Sequence, residues 1–473
     1  MNSVYMKGRP IVENTSFCQY FESKMKKNLP FSQVLAIGLM LFSMFLGAGN
    51  VIFAPMLGQQ AGTNTWIAMG GFLITGVGLV LLAIIALTRA GGTVEKLAGR
   101  VHPLFASIFV FMLFLMVGPI YVIPRTTSVL YEIAINPLIQ TNTSIYLFIF
   151  SFVFIFLTII LSWNTTKFVD RLGKIITPIF STLLIILIAK SIMTPLGNIG
   201  DPQKEYMSGV FLKGVTEGYY TMDVLAAFVF GGIFIKSINS LGIRCEKEVS
   251  RLFIKAGMIT ITGLVALQIS MAWIGASSVD AIGFKENGGE VLAQSAITLF
   301  GPFGIYMIGT VIFLTGITTN VACLAAASEY FERVVPSVSY KKWLIIFSII
   351  GVVITNFGLN TILTFTFPIL LLLYPIAIAL IVLIFINNLF NGHRSVYIAT
   401  VIGVGFAAIP DALKEVNVLT KAINSIFRFI PLFENGAGWI TTGLIGFLIG
   451  LLAAKVRREP AILIKPEQEI NKM

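Results

Sequence analysis

Twelve apolar runs dominate this chain of 473 residues and constrain its fold more than any other feature. A helix needs roughly 20 mostly apolar residues to cross a bilayer. The runs are Phe31–Leu57, Trp66–Leu87, Leu104–Val122, Ile145–Trp163, Ile175–Ile192, Val224–Ile235, Ala256–Ile274, Ala296–Ala327, Trp343–Phe357, Ile362–Ile386, Val396–Ile409 and Gly436–Ala454. The chain is 56% hydrophobic and 12% charged, whereas an ordinary globular protein is about 25% charged. In water it could not cover such runs with polar surface. Hydrophobicity this high excludes disorder, and the 43 glycines show no collagen period. Three cysteines at wide spacing, Cys18, Cys245 and Cys323, exclude a disulfide scaffold and form no CxxC motif. Two histidines, His102 and His393, leave little for a metal site or a nucleophile pair. The expected fold is an all-α integral membrane protein with about 12 transmembrane helices in a lipid bilayer, and no cofactor is implied.

The net charge of +11 does not point to nucleic acid, because Lys and Arg sit between the apolar runs and form no basic stripe. Their distribution is topological instead. The first 30 residues carry Lys7, Arg9, Lys24, Lys26 and Lys27 before any apolar run, which fits a cytoplasmic tail and not a cleavable signal. With that end inside, the inner segments hold basic clusters around Arg89–Arg100, Lys167–Lys174, Lys236–Lys255, Arg333–Lys342, Arg394 and Lys455–Lys472. The outer segments hold seven: Lys190, Lys204, Lys213, Lys285, Lys414, Lys421 and Arg428. Arg125 falls at the outer end of the third run, where snorkelling to the interface is the default. A missed or extra span would scramble this alternation, so both termini are expected on the cytoplasmic side of the cell membrane.

Two of the runs are interrupted. Span one carries Gly47-Ala48-Gly49-Asn50 near its middle, with Pro55 downstream. Close packing of small residues is one reading. Gly-x-Gly followed by an amide side chain reads better as a broken helix. Span six is too short alone, but extended back through Gly218 it crosses and contains Thr221 and Asp223. Spans one and six lie five apart, and an odd number of crossings reverses direction. Two five-span units would then be inverted relative to one another, the signature of a secondary transporter whose site lies where the broken helices meet. The expected divisions are a tail at 1–30, a first five-helix repeat at 31–192, an external loop at 193–217, an inverted second repeat at 218–386, two accessory helices at 387–454 and a tail at 455–473. A break presents helix N-terminal amides to an anion and carbonyls to a cation. A zwitterion accompanied by Na⁺ or H⁺ suits that arrangement.

The stretches MLFSMFLGAGNVIFAPMLGQQAG, GPIYVIPRTTSVLYE and GYYTMDVLAAFVFGG resemble the bacterial branched-chain amino acid:cation symporter family, over essentially the whole chain. The resemblance implies the five-plus-five inverted-repeat fold first seen in a bacterial leucine transporter, and uptake of leucine, isoleucine and valine by Na⁺ or H⁺ symport. By the more distant match to that transporter, the amides of Ala48 and Gly49 receive the substrate carboxylate, with Asn50 beside it near a cation. The Phe45 carbonyl faces the substrate amine, and the unwound Tyr220, Thr221 and Asp223 segment surrounds it. Tyr121 closes over the carboxylate. Main-chain carbonyls of Ser43 and Leu46, with the segment Thr315-Gly316-Ile317-Thr318-Thr319, form a cation site whose hydroxyls belong to Thr318 and Thr319. The distant relative has a hydroxyl where this chain has Asp223, so the role of that carboxylate does not carry over.

Asp223 is the one acid inside an apolar run, and a buried carboxylate must be neutral, paired or facing water. It could cap the inner half-helix, balance the substrate ammonium, or carry a coupling proton. Thr318 and Thr319 could instead bond back to their own helix, as membrane Ser and Thr often do, and adjacent hydroxyls point in different directions. Pro368 and Pro375 predict a kink in span ten. Paired carboxylates, histidine clusters and nucleophile motifs are not visible, which argues against an enzyme. A channel would call for a repeated pore ring. The remaining rival is an exchanger, or a symporter of other neutral amino acids, on the same fold.

Overall fold

A computed structural model describes residues 31–139, 144–163, 176–240, 246–417 and 420–457. Both expected tails lie outside these residues, apart from the first three residues of the C-terminal one. So does the whole of the basic stretch Lys167–Lys174. Within them the apolar runs fall on helix, apart from short breaks and turns. The backbone dictates this, since hydrocarbon offers no partner for N–H and C=O groups and a helix satisfies them internally. Among the described residues, eight helices are long and apolar enough to cross a membrane by length and composition, and Phe31–Phe45 and Thr177–Met193 are shorter apolar helices.

In chain order the helices are α1 (Phe31–Phe45), α2 (Ala48–Ala61), α3 (Thr65–Leu73), α4 (Leu79–Arg89), α5 (Val94–Gly99), α6 (Pro103–Leu115), α7 (Val122–Leu130), α8 (Asn136–Ile139), α9 (Ser144–Ser162) and α10 (Thr177–Met193). There follow α11 (Val210–Tyr220), α12 (Asp223–Ser240), α13 (Glu246–Ile282), α14 (Gly288–Phe300), α15 (Phe303–Val334), α16 (Tyr340–Thr355), α17 (Leu359–Phe385), α18 (Arg394–Glu415), α19 (Thr420–Phe427) and α20 (Gly438–Arg457). Spans one and six are each two helices: α1 with α2, and α11 with α12. Helix α13 packs along both α1 and α2, and α15 contacts α1, α2, α7 and α12, so the two interruptions lie inside the bundle.

Helix association in lipid gains little from hydrophobicity, so close approach depends on small residues. A Cβ on Gly275 of α13 would strike the Pro55 carbonyl of α2, and one on Gly214 of α11 would strike the Ala68 carbonyl of α3. The pair α18 and α20 approach in the same way, with Gly446 against Ala399 and Gly403 against Thr442.

Three sequence expectations need correction. The eighth helix begins at Phe303, not Ala296, because Gly301 has φ +62° and Pro302 follows, which ends α14. The stretch expected as an external loop at 193–217 turns helical at Val210, where α11 starts. Span three does not stop at Val122. It kinks at Gly118 (φ −93°, ψ −117°) before Pro119 and runs on through α7 to α8, linked by π-helical turns. That kink makes a third interrupted helix. It also carries Arg125 and Glu132 into helix, so Asp223 is not the only acid in a membrane helix.

Candidate substrate and cation site

In span one the α-helical ladder stops with Leu46 N–H donating to Phe42 O at 2.8 Å, and Gly47 N–H turns back to Phe45 O at 2.7 Å. Gly47 is extended (φ −99°, ψ −179°) and α2 begins at Ala48. The amides of Ala48, Gly49 and Asn50 therefore form the first turn of α2 and have no partner within the helix. The carbonyls of Ser43, at the end of α1, and Leu46, in the break, lie where the i+4 ladder of α1 runs out.

In span six the corner residue is Met222, at φ +65°. Thr221 Oγ1 donates to Gly218 O at 2.9 Å, closing the end of α11. Val224 N–H, in the first turn of α12, donates to Tyr374 Oη at 3.3 Å, and that hydroxyl donates to Thr75 O at 3.2 Å. Tyr374 on α17 thus ties the second break to span two.

Asn50 joins the two breaks. Its Nδ2 donates to Phe45 O at 2.6 Å and to Asp223 Oδ1 at 3.2 Å, and its Oδ1 accepts from Gln268 Nε2 on α13. The Phe45 carbonyl thus already receives Asn50 and Gly47, so it is less open to a substrate amine than the sequence suggested. Asp223 is 4% exposed, and its Oδ2 has no hydrogen-bond partner among the described residues. Its carboxylate does not act as the cap of α12, because Oδ1 takes Asn50 and the Asp223 N–H faces Thr221 Oγ1 at 3.4 Å.

Arg125 does not snorkel. It is 2% exposed, and Nη1 donates to Tyr121 Oη and to Tyr220 O, both at 2.8 Å. The Tyr121 ring lies 4.4 Å below the guanidinium carbon. Tyr121 Oη itself comes within 3.4 Å of Tyr220 O. A Cβ placed on Gly49 would lie 2.8 Å from Arg125 Nη2 and 3.0 Å from Thr221 O, so spans one, three and six converge on that glycine. The Tyr220 ring stacks on Phe367 of α17 at 3.9 Å and lies 6.0 Å from Phe53 of α2, forming an aromatic cover.

The hydroxyls of α15 divide. Thr319 lies against the first break, its Oγ1 at 3.4 Å from a Cβ on Gly47, and among the described residues it is buried without a partner, as is Ser43 Oγ. Thr318 donates to Thr315 O at 2.8 Å and Thr315 to Val311 O at 2.9 Å. Both bond back to their own helix, so the alternative reading holds for Thr318 but not for Thr319, although a donating hydroxyl keeps lone pairs for a cation.

The sequence reading missed Gln268, Tyr374 and the burial of Arg125. An amide inside the seventh apolar run was a usable signal for Gln268. Tyr374 carries none, because an aromatic in an apolar run is ordinary. Arg125 was misplaced because the span was ended too early.

A helical membrane bundle with a polar centre built on interrupted helices is the architecture of a transporter. The sequence pattern described as branched-chain amino acid transport protein matches residues 31–457, and the chain belongs to that family, whose members are transporters and not enzymes. It is 39% identical over 451 residues to the branched-chain amino acid permease BraB of Bacillus subtilis, covering 95% of this chain and 100% of that one. It is 38% identical over 436 residues to the permease BrnQ of the same organism, covering 92% and 99%. It is 34% identical over 427 residues to the branched-chain amino acid transport system 2 carrier protein of Pseudomonas aeruginosa, covering 90% and 97%. Among solved structures, a nucleobase-cation-symport-1 family transporter, closed with bromovinylhydantoin bound, shares the fold with a TM-score of 0.60 at 12% identity, over 93% of this chain and 95% of that one. A substrate-bound, outward-open Na⁺-coupled sialic acid symporter does so with a TM-score of 0.58 at 12% identity, over 90% of each. At such identity these likenesses concern fold alone.

Proposed function

We propose that the chain imports leucine, isoleucine and valine across the cell membrane by symport with Na⁺ or H⁺. The site alternates in access between the two sides, both termini are cytoplasmic, and residues 31–192 and 218–386 act as inverted repeats. The observation that carries this reading is the polarity of the junction. The first-turn amides of α2 offer hydrogen bonds and a positive dipole end to a carboxylate, while Asp223, joined to the same break through Asn50, keeps one carboxylate oxygen without a hydrogen-bond partner among the described residues. A zwitterion satisfies both, and an aliphatic side chain suits the aromatic cover of Phe53, Tyr220 and Phe367. Family membership and the named activities of the relatives support the substrate class. For the cation, the unpartnered Ser43 and Thr319 hydroxyls at the first break are the supporting feature, with the carbonyls of Ser43 and Leu46.

The test is uptake by purified protein in liposomes with imposed gradients and competing amino acids. Accumulation of labelled leucine driven by an inward Na⁺ or proton gradient, and blocked by excess isoleucine or valine, is expected. Exchange without any response to either gradient would overturn the symport reading, and indifference to branched-chain competitors would overturn the substrate class.

A further inference from the structure

Arg125 has five N–H donors, and the two on Nη1 are taken by Tyr121 Oη and Tyr220 O. Nε is buried with no partner, and no hydrogen bond leaves Nη2 among the described residues. No ion pair is made by this guanidinium among the described residues. The Asp223 carboxylate is in electrostatic reach of this cation but does not pair with it directly, and a buried charge left without a direct partner is costly. Here the unfilled donors form one edge, the Nε/Nη2 fork that matches a carboxylate in bidentate geometry. The fork is aimed, since Nη2 is 2.8 Å from where a Gly49 Cβ would stand, against the first turn of α2. Anchoring the carbonyl at the end of α11 accounts for Nη1 alone.

We propose that the Nε/Nη2 edge of Arg125 binds the α-carboxylate of the substrate, holding it against the first-turn amides of α2. Arg125 and Asp223 then form a clamp with opposite charges for the two ends of an amino acid. The clamp favours zwitterions over amines, amides and simple carboxylates that share the same aliphatic group. This rests on the transport reading above.

The experiment compares binding of leucine and leucinamide, which keeps the ammonium and side chain but lacks the carboxylate, to purified full-length wild type, Arg125→Gln and Arg125→Lys. Wild type should prefer leucine by about a hundredfold or more, the scale of losing one partner of a buried charge pair. Arg125→Gln should shrink that preference to about tenfold or less, because the α2 amides still favour an anion. If leucine and leucinamide weaken by the same factor, Arg125 is only structural and the proposal is overturned. Should Arg125→Gln fail to fold, Arg125→Lys decides, because it keeps a cation and a donor for Tyr220 O but loses the fork. Its preference should fall about tenfold, and an unchanged preference overturns the proposal. A wild type that binds leucine without preference over leucinamide sinks the clamp alone. A wild type that binds neither sinks the transport reading with it.

Discussion

The two breaks that meet at the site are made of different materials. Span one turns on glycines, yet they do different work. Gly47 is extended, a conformation any residue adopts, and a Cβ there would touch Thr319 at an ordinary 3.4 Å. Gly49 is required for space, because the Arg125 fork and the Thr221 carbonyl occupy the place of its side chain. Span six has no glycine at its corner. Met222 takes the left-handed conformation, which costs a non-glycine residue about 1–2 kcal/mol, and its neighbours hold it through Thr221, Tyr374 and the Asn50–Asp223 bond. The first break is close-packed and unstrained, and its missing side chains let backbone amides meet a ligand directly. The second is strained and braced, which fixes a charged side chain.

The largest effect should follow from filling the first break. Gly49→Leu should abolish leucine binding while the protein still elutes as a folded species in size-exclusion chromatography, and wild-type affinity would refute the crowding. On the other side, Asp223→Asn keeps size and the bond to Asn50 but removes the charge. Stranding a buried partner charge costs about 3–5 kcal/mol, so leucine affinity should fall a hundredfold or more. If binding and counterflow survive and proton-driven uptake alone is lost, Asp223 carries the coupling proton instead. Replacing Thr318 and Thr319 together by Val removes two oxygens at constant shape, that of Thr319 lying against the first break. Substrate affinity should then lose much of its cation dependence, and unchanged Na⁺ and proton titrations would remove these residues from the cation site. The smallest effect sharpens the contrast itself. Met222→Ile puts a β-branched residue at positive φ and should cost about 1 kcal/mol or more. Gly47→Ala should stay within about 0.5 kcal/mol, both read as shifts in Tm. Equal shifts would mean the two corners are not built differently.

What was legible in the sequence follows the same contrast. Twelve apolar runs and the flanking Lys and Arg residues were enough for the helices, because hydrocarbon permits little else. Gly47-Ala48-Gly49-Asn50 marked the first break directly. Asp223 marked the second, since a carboxylate in an apolar run needs a reason. The corner at Met222 was invisible, because its conformation is imposed by neighbours distant in sequence and methionine carries no turn signal. The kink at Gly118-Pro119 was written in the sequence but lay inside a run ended at Val122, and that early end kept Arg125 from the site. The bond between Asn50 and Gln268 spans 218 positions, and pairing at such separation is not encoded in any local pattern.

The most direct measurement is an experimental structure of the full-length protein in lipid nanodiscs with leucine bound. The account predicts the leucine carboxylate within hydrogen-bond distance of the Ala48 and Gly49 amides and its ammonium beside Asp223. Leucine lodged instead in the cavity lined by Ser128, Glu132, Ser144 and Leu359, with the junction of the breaks unliganded, would contradict it.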